Sequence, residues 1–468
     1  MPAATPATQS EPARFFGALS EAAAAVEAPT SDGNSAVVLA KRPAVVRRVI
    51  GQQVPDDILH DKALNDAIAI LPANYNFEIH KTLWRIRQAG ARHVALQFPE
   101  GLLMYACIIA DILESFGGVE ETFVMGDVTF GACCIDDFSA AALGADFLVH
   151  YGHSCLVPVD VTSLPCQYVF VDIKMDLAHF VATVRHNFAA GTRLLLAGTI
   201  QFASSLQAAK RELAAEYPSI LIPQARPLSP GEVLGCTAPV VEGEWDALVF
   251  LSDGRFHLEA IMMANPRLVA YRYDPYGRVL TREEYDHEGM RAARRSAIEK
   301  ARGAQRWGLV LGTLGRQGNP RILHSLHTLL AASGRSFVTV LLSEVSPAKL
   351  AALAGERDAG GVEAWVQVAC PRLSIDWGEE FLAPTLNPYE AFVALGEVPG
   401  WWEAGTDYPM DYYASDGGAW NSTYHRRKPR GEGQGGLPPG AAAALAARKA
   451  AAGAGGGGSG GSSAGPAG

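Results

Sequence analysis

A chain of 468 residues with 49% hydrophobic residues is globular and has room for two to four domains, while its formal charge of −10 argues against direct binding of nucleic acid. Seven scattered cysteines are too few for a disulfide scaffold and point to reduced thiols in the cytoplasm. No apolar run reaches the roughly 18 residues of a membrane span, and no basic-then-apolar secretory signal opens the chain.

In chain order, residues 1–45 are rich in Ala, Pro, Ser and Thr and are expected to be disordered. Three segments then open alike, each with an apolar strand and a turn: Val94-Ala-Leu-Gln-Phe-Pro-Glu-Gly, Leu194-Leu-Leu-Ala-Gly-Thr-Ile-Gln and Leu309-Val-Leu-Gly-Thr-Leu-Gly-Arg. Helical patterns follow at Leu102–Phe116, Phe202–Tyr217 and Arg321–Ala332. About 55 residues after each opening comes another apolar strand, beginning at Phe147, Ala247 and Ala364, with Asp146, Asp246 or Glu363 just before it. Strands without alternation, separated by amphipathic helices, belong to parallel sheets covered on both faces. The expected fold is α/β: three similar parallel-sheet domains at 46–166, 167–285 and 286–424. The last ends in an aromatic strap containing Trp401, Trp402 and Tyr408. Residues 425–468, basic and then rich in Gly, Ser and Ala, read as a disordered tail.

Each unit carries one cysteine at or soon after the end of an expected buried strand, where open α/β sheets place their ligands: Cys133, Cys236 and Cys370. Their separations of roughly 100 and 130 residues exclude one local zinc loop. Three thiolates from three units suit a four-iron cluster that keeps one iron without a protein ligand. Cys107, Cys155 and Cys166 read as packing residues. Cys134 either packs or affects access to Cys133.

The Gly-rich turn with Gly312, Thr313, Gly315, Arg316 and Gln317 lets a ligand approach the backbone, or is a plain strand-to-helix turn. A side chain added at Gly315 is expected to leave the thiols undisturbed. Asp253 and Arg255 stand at another strand end, where the guanidinium would grip a carboxylate or else salt-bridge a packing loop. His153 and His257 are either structural or close to the chemistry.

The ordered words Gly126-Asp-Val-Thr-Phe-Gly-Ala-Cys-Cys, Tyr151-Gly-His-Ser-Cys, Leu234-Gly-Cys-Thr, Asp253-Gly-Arg-Phe-His, Leu311-Gly-Thr-Leu-Gly-Arg-Gln-Gly and Val368-Ala-Cys-Pro-Arg-Leu resemble the eukaryotic 2-(3-amino-3-carboxypropyl)histidine synthases, in their first-subunit branch. The resemblance spans about residues 45–415. It implies three α/β domains around a central [4Fe–4S] cluster held by Cys133, Cys236 and Cys370. It further implies non-standard radical transfer of a 3-amino-3-carboxypropyl group from S-adenosylmethionine to C2 of a histidine in translation elongation factor 2, with 5′-methylthioadenosine released. A related second subunit completing a heterodimer and a small iron protein donating electrons are the implied partners. Two rivals are a non-catalytic electron-transfer or scaffold subunit of the same complex, and a zinc-stabilised binding module.

Overall fold

The computed structural model describes residues 54–127, 129–355 and 360–424. The two expected tails, 1–45 and 425–468, lie outside these residues.

Three four-stranded sheets organise the described chain. The first contains His93–Gln97, Glu121–Val124, Phe147–Tyr151 and Cys166–Val169, all parallel, with the opening strand between the second and third. Arg306–Gly312, Ser336–Leu342, Ala364–Val368 and Thr385–Leu386 repeat that order in the third sheet. The middle sheet pairs Leu194–Gly198, Ala247–Leu251 and Ala270–Asp274 in parallel and adds Val279–Glu283 antiparallel. Its counterpart of the second strand shrinks to one bridge, Leu221 to Leu195. The stretch 220–223, the apolar run that precedes Cys236, therefore contributes only a contact.

The repeat has a physical signature. Asp146 accepts the backbone N–H groups of Arg92 and His93, Asp246 that of Arg193, and Glu363 those of Gln305 and Arg306. The backbone N–H of each acid donates in return to His93, Arg193 or Arg306. One carboxylate thus satisfies the exposed start of each opening strand and fixes its register against its neighbour. Phe147–Tyr151, Ala247–Leu251 and Ala364–Val368 are buried at every position, as strands covered on both faces must be.

Some boundaries differ from expectation. Cys166–Val169 pairs with Phe147–Tyr151, so the first sheet runs past residue 166. The middle helix Ala203–Leu213 stops before Tyr217, whose ring is buried while its hydroxyl donates to the Phe188 carbonyl at 2.8 Å. Cys107 and Cys155 are exposed rather than packed, whereas Cys166 and Cys134 are buried. The helix Ala106–Gly117 buries Ala106, Ile109, Ala110 and Leu113, which turns Cys107 away from the sheet.

The C-terminal strap, from the short helix Trp401–Ala404 to Tyr424, crosses the sheet ends. Ala238 donates to the Met410 carbonyl at 2.8 Å, Tyr412 to that of Cys236 at 3.3 Å, and the Tyr424 hydroxyl to that of Arg316. Among the described residues no helix is long and apolar enough to cross a membrane.

Candidate metal centre

Cys133 lies in the short turn Ala132–Cys134, after the strand Glu121–Val124. That strand is a half-exposed sheet edge rather than the buried strand expected. Cys236 is buried in a loop beyond Leu221, and Cys370 follows Ala364–Val368 directly, at the start of the helix Pro371–Trp377. The third cysteine therefore follows the third strand of its sheet, whereas the other two follow the second strand or its remnant.

Chain segments far apart in sequence bring these thiols into one electrostatic environment. Cys133 is held well above the usual thiol range by its contact with Cys134, by burial, and by the charges of Cys134, Cys236 and Cys370. Burial and then the charge of Cys370 raise Cys236, and burial pushes Cys370 up to about 11. Without a compensating cation these thiols keep their protons. Among the described residues no three His, Cys, Asp or Glu side chains are grouped to ligate a single ion. Three thiols from three separate loops, with Cys133 sensing the charges of Cys236 and Cys370, would suit a polynuclear centre in which each thiolate binds its own iron. Their sulfur donors fit a [4Fe–4S] cluster, whose irons would supply the charge that lets them ionise.

Two arginines tie the three loops together. Arg372, only 4% exposed in its side chain, donates to the Gly235 carbonyl at 3.3 Å and the Phe256 carbonyl at 2.8 Å. It pairs with Glu259 at 2.6 Å and Asp376 at 2.8 Å. Standing two residues after Cys370 and against the residue before Cys236, it joins those two loops. Its charge also favours both thiolates. Arg316 joins the Cys133 turn to the third sheet: its backbone N–H donates to the Cys133 carbonyl at 2.9 Å, and its guanidinium forks onto the buried Asp137 at 2.7 and 2.6 Å. Buried Gln97 donates to the Cys134 carbonyl at 2.8 Å, and Gln367 to that of Cys370 at 2.9 Å. An amide inside an apolar strand demands such a partner, which makes these two glutamines findable from sequence although the motif reading passed over them.

The residues expected to grip a cofactor are otherwise engaged. A Cβ on Gly312 would stand 2.6 Å from Ala369 Cβ. Gly315 has φ +52°, and a Cβ there would fall 2.5 Å from the Cys134 carbonyl carbon, so a side chain at this position meets the thiol turn itself. The expectation that Gly315 lies remote from the thiols is thereby corrected. Gln317 donates to Cys134 Sγ at 3.3 Å, and Thr313, exposed, donates its backbone N–H to the Leu342 carbonyl at 2.8 Å. Arg255 pairs with Glu259 at 2.9 Å and Glu283 at 3.2 Å and donates to the Glu284 carbonyl. Neither arginine has the free fork expected for a carboxylate, while Asp253 is exposed and its carbonyl accepts from Arg272 at 3.1 Å.

His153 and His257 face each other electrostatically. Burial and then His257 lower His153 to about 3, and burial and then Arg372 lower His257 to about 4. Both are neutral near pH 7, and His153 Nδ1 is buried without a partner. Burial keeps both rings neutral and makes each a weak proton acceptor.

The family model for "Putative diphthamide synthesis protein" matches residues 98–408. The chain belongs to the diphthamide synthesis family. It is 55% identical over 404 residues to the 2-(3-amino-3-carboxypropyl)histidine synthase subunit 1 of Gallus gallus, covering 86% of this chain and 96% of that one. To the Homo sapiens subunit 1 it is 56% identical over 389 residues, covering 82% and 86%. Among solved structures it is similar to Dph2 from Pyrococcus horikoshii, with TM-score 0.55 and 26% identity over 69% of this chain and 92% of that one. The same protein solved with a 4Fe-4S cluster gives TM-score 0.58 at 24% identity, covering 76% and 97%, which is a likeness of fold.

Proposed function

We propose that this chain is the cluster-bearing subunit that begins diphthamide synthesis, with Cys133, Cys236 and Cys370 holding a [4Fe–4S] cluster. Its reaction is the transfer of a 3-amino-3-carboxypropyl group from S-adenosylmethionine to C2 of a histidine in translation elongation factor 2. The observation that supports this reading is the convergence of three thiol loops from three units: Cys133 senses the charges of Cys236 and Cys370, Arg372 beside Cys370 donates to the Gly235 carbonyl, and Arg316 donates to that of Cys133. The subunit-1 names of its relatives support it, and they also support assembly with a second subunit. A small iron protein as electron donor and a cytoplasmic setting complete the proposal.

When bound, the cluster supplies one electron to the sulfonium of S-adenosylmethionine. The protein contributes the surroundings. Arg372 holds two thiol loops together and its charge favours their ionised state. Tyr412 and Tyr413, buried at 4% and 2% exposure, stand near the thiols with Tyr424 beside them, while Cys133 and Cys370 keep partial exposure.

Product analysis tests the reading. Reduced protein, incubated with its partner subunit and elongation factor 2, is expected to release 5′-methylthioadenosine and to label the factor's histidine from the aminocarboxypropyl carbons. Release of 5′-deoxyadenosine as the main nucleoside contradicts it, and no turnover despite a full cluster favours the scaffold alternative.

A further inference from the structure

We infer that Arg316 is a positioning residue for the Cys133 ligand and that the Gly-rich turn around it is a clamp on the thiol loop. The inference rests on the cluster reading above. Several groups of the segment 315–317 are spent on residues 133–138, while Arg316 Nη2 also reaches the Val161 carbonyl at 3.4 Å and the Gln317 N–H donates to that of Leu314. Gly315 abuts the Cys134 carbonyl, the Arg316 N–H holds that of Cys133, and Gln317 reaches Cys134 Sγ. The Arg316 guanidinium forks onto Asp137 and lies 3.9 Å from the Phe138 ring centroid. The Arg316 carbonyl is itself held by the Tyr424 hydroxyl, and the neighbouring Asn319 donates to Ser422 at 3.2 Å.

The Cys133 turn needs such support. Ala132–Cys134 is a single turn with no side-chain cap, it follows a half-exposed edge strand, and the preceding Phe130 is 68% exposed. Little in its own sheet fixes where the thiol points, apart from Gln97 on the next carbonyl. The fork onto Asp137, whose side chain is wholly buried, is the strongest restraint because a bidentate pair fixes orientation as well as distance. Arg372 plays the same part between Cys236 and Cys370, so two arginines would register three loops on one centre.

The competing use of Arg316, gripping the cofactor carboxylate, predicts a different set of changes. The test uses the full chain, reconstituted anaerobically with iron and sulfide, as wild type, Arg316→Ala, Asp137→Asn and Tyr424→Phe. Without S-adenosylmethionine, Arg316→Ala and Asp137→Asn are expected to lose iron to a chelator roughly 10–100-fold faster than wild type, the usual cost of removing a ligand's support. They are also expected to show an altered electron paramagnetic resonance spectrum of the reduced cluster. Tyr424→Phe, which removes one oxygen, shows the same change more weakly while its metal-free form melts like wild type.

An unchanged chelation rate and spectrum in both Arg316→Ala and Asp137→Asn, with only the response to added S-adenosylmethionine lost, overturns the inference in favour of the cofactor grip. Changes that track lowered metal-free melting in every variant overturn it in favour of plain stability. Wild type that takes up no iron and sulfide overturns the cluster reading, and this inference falls with it.

Discussion

Replacing Cys133, Cys236 or Cys370 with alanine is expected to abolish both the visible thiolate-to-iron absorption and the transferase activity, in proteins that remain folded. Each thiol comes from the loop or turn of a different α/β unit, so losing one leaves two ligands and cannot be repaired by a neighbour on the same loop. Cys134 stands beside Cys133, yet its sulfur accepts from Gln317 and its carbonyl from Gln97, which ties it to the protein. Cys107→Ala is the control. Its thiol is exposed, so its stability should stay within about 0.5 kcal/mol of wild type with spectrum and turnover intact. Absorption spectra, melting curves and turnover of the four variants check this. A full cluster with normal turnover in Cys236→Ala would sink the ligand assignment.

The largest expected effect on stability lies away from the thiols, at Glu390. Its carboxylate is wholly buried and forks with Arg294 at 2.7 and 2.7 Å, itself only 1% exposed. It also accepts from the Tyr408 hydroxyl at 2.8 Å and closes the capping box of the helix Pro388–Ala394 through Asn387. Glu390→Ala leaves a buried guanidinium without its counter-charge, which should cost about 3–5 kcal/mol. Denaturant unfolding measures it. A loss below about 1 kcal/mol would mean that water reaches Arg294 after the change. Because Tyr408 anchors the strap that crosses Cys236, the same variant should lose its cluster more readily.

Much of the fold was legible because apolar runs such as Ala247-Leu-Val-Phe-Leu can be satisfied only inside a doubly covered sheet, and the acids at 146, 246 and 363 marked where each began. Cys107 reads as a packing residue in the sequence and is exposed in the structure: Ala106, Ile109, Ala110 and Leu113 define the buried face, and position 107 falls off it. What stayed hidden was long-range. The partner of Arg316 lies 179 positions away, and no local pattern distinguishes an arginine that forks onto a protein carboxylate from one waiting for a ligand. Arg372 was hidden for the same reason, with Gly235 137 positions away. The three cysteines were legible as candidates from their places after strands, and their attribution to one cluster came from the family resemblance.

The most direct measurement is iron and acid-labile sulfide analysis of the full chain after anaerobic purification. About four irons and four sulfides per chain, with less than half of that retained in Cys370→Ala, are the expected result for a single [4Fe–4S] cluster on three thiolates. About one zinc per chain with no labile sulfide would contradict it.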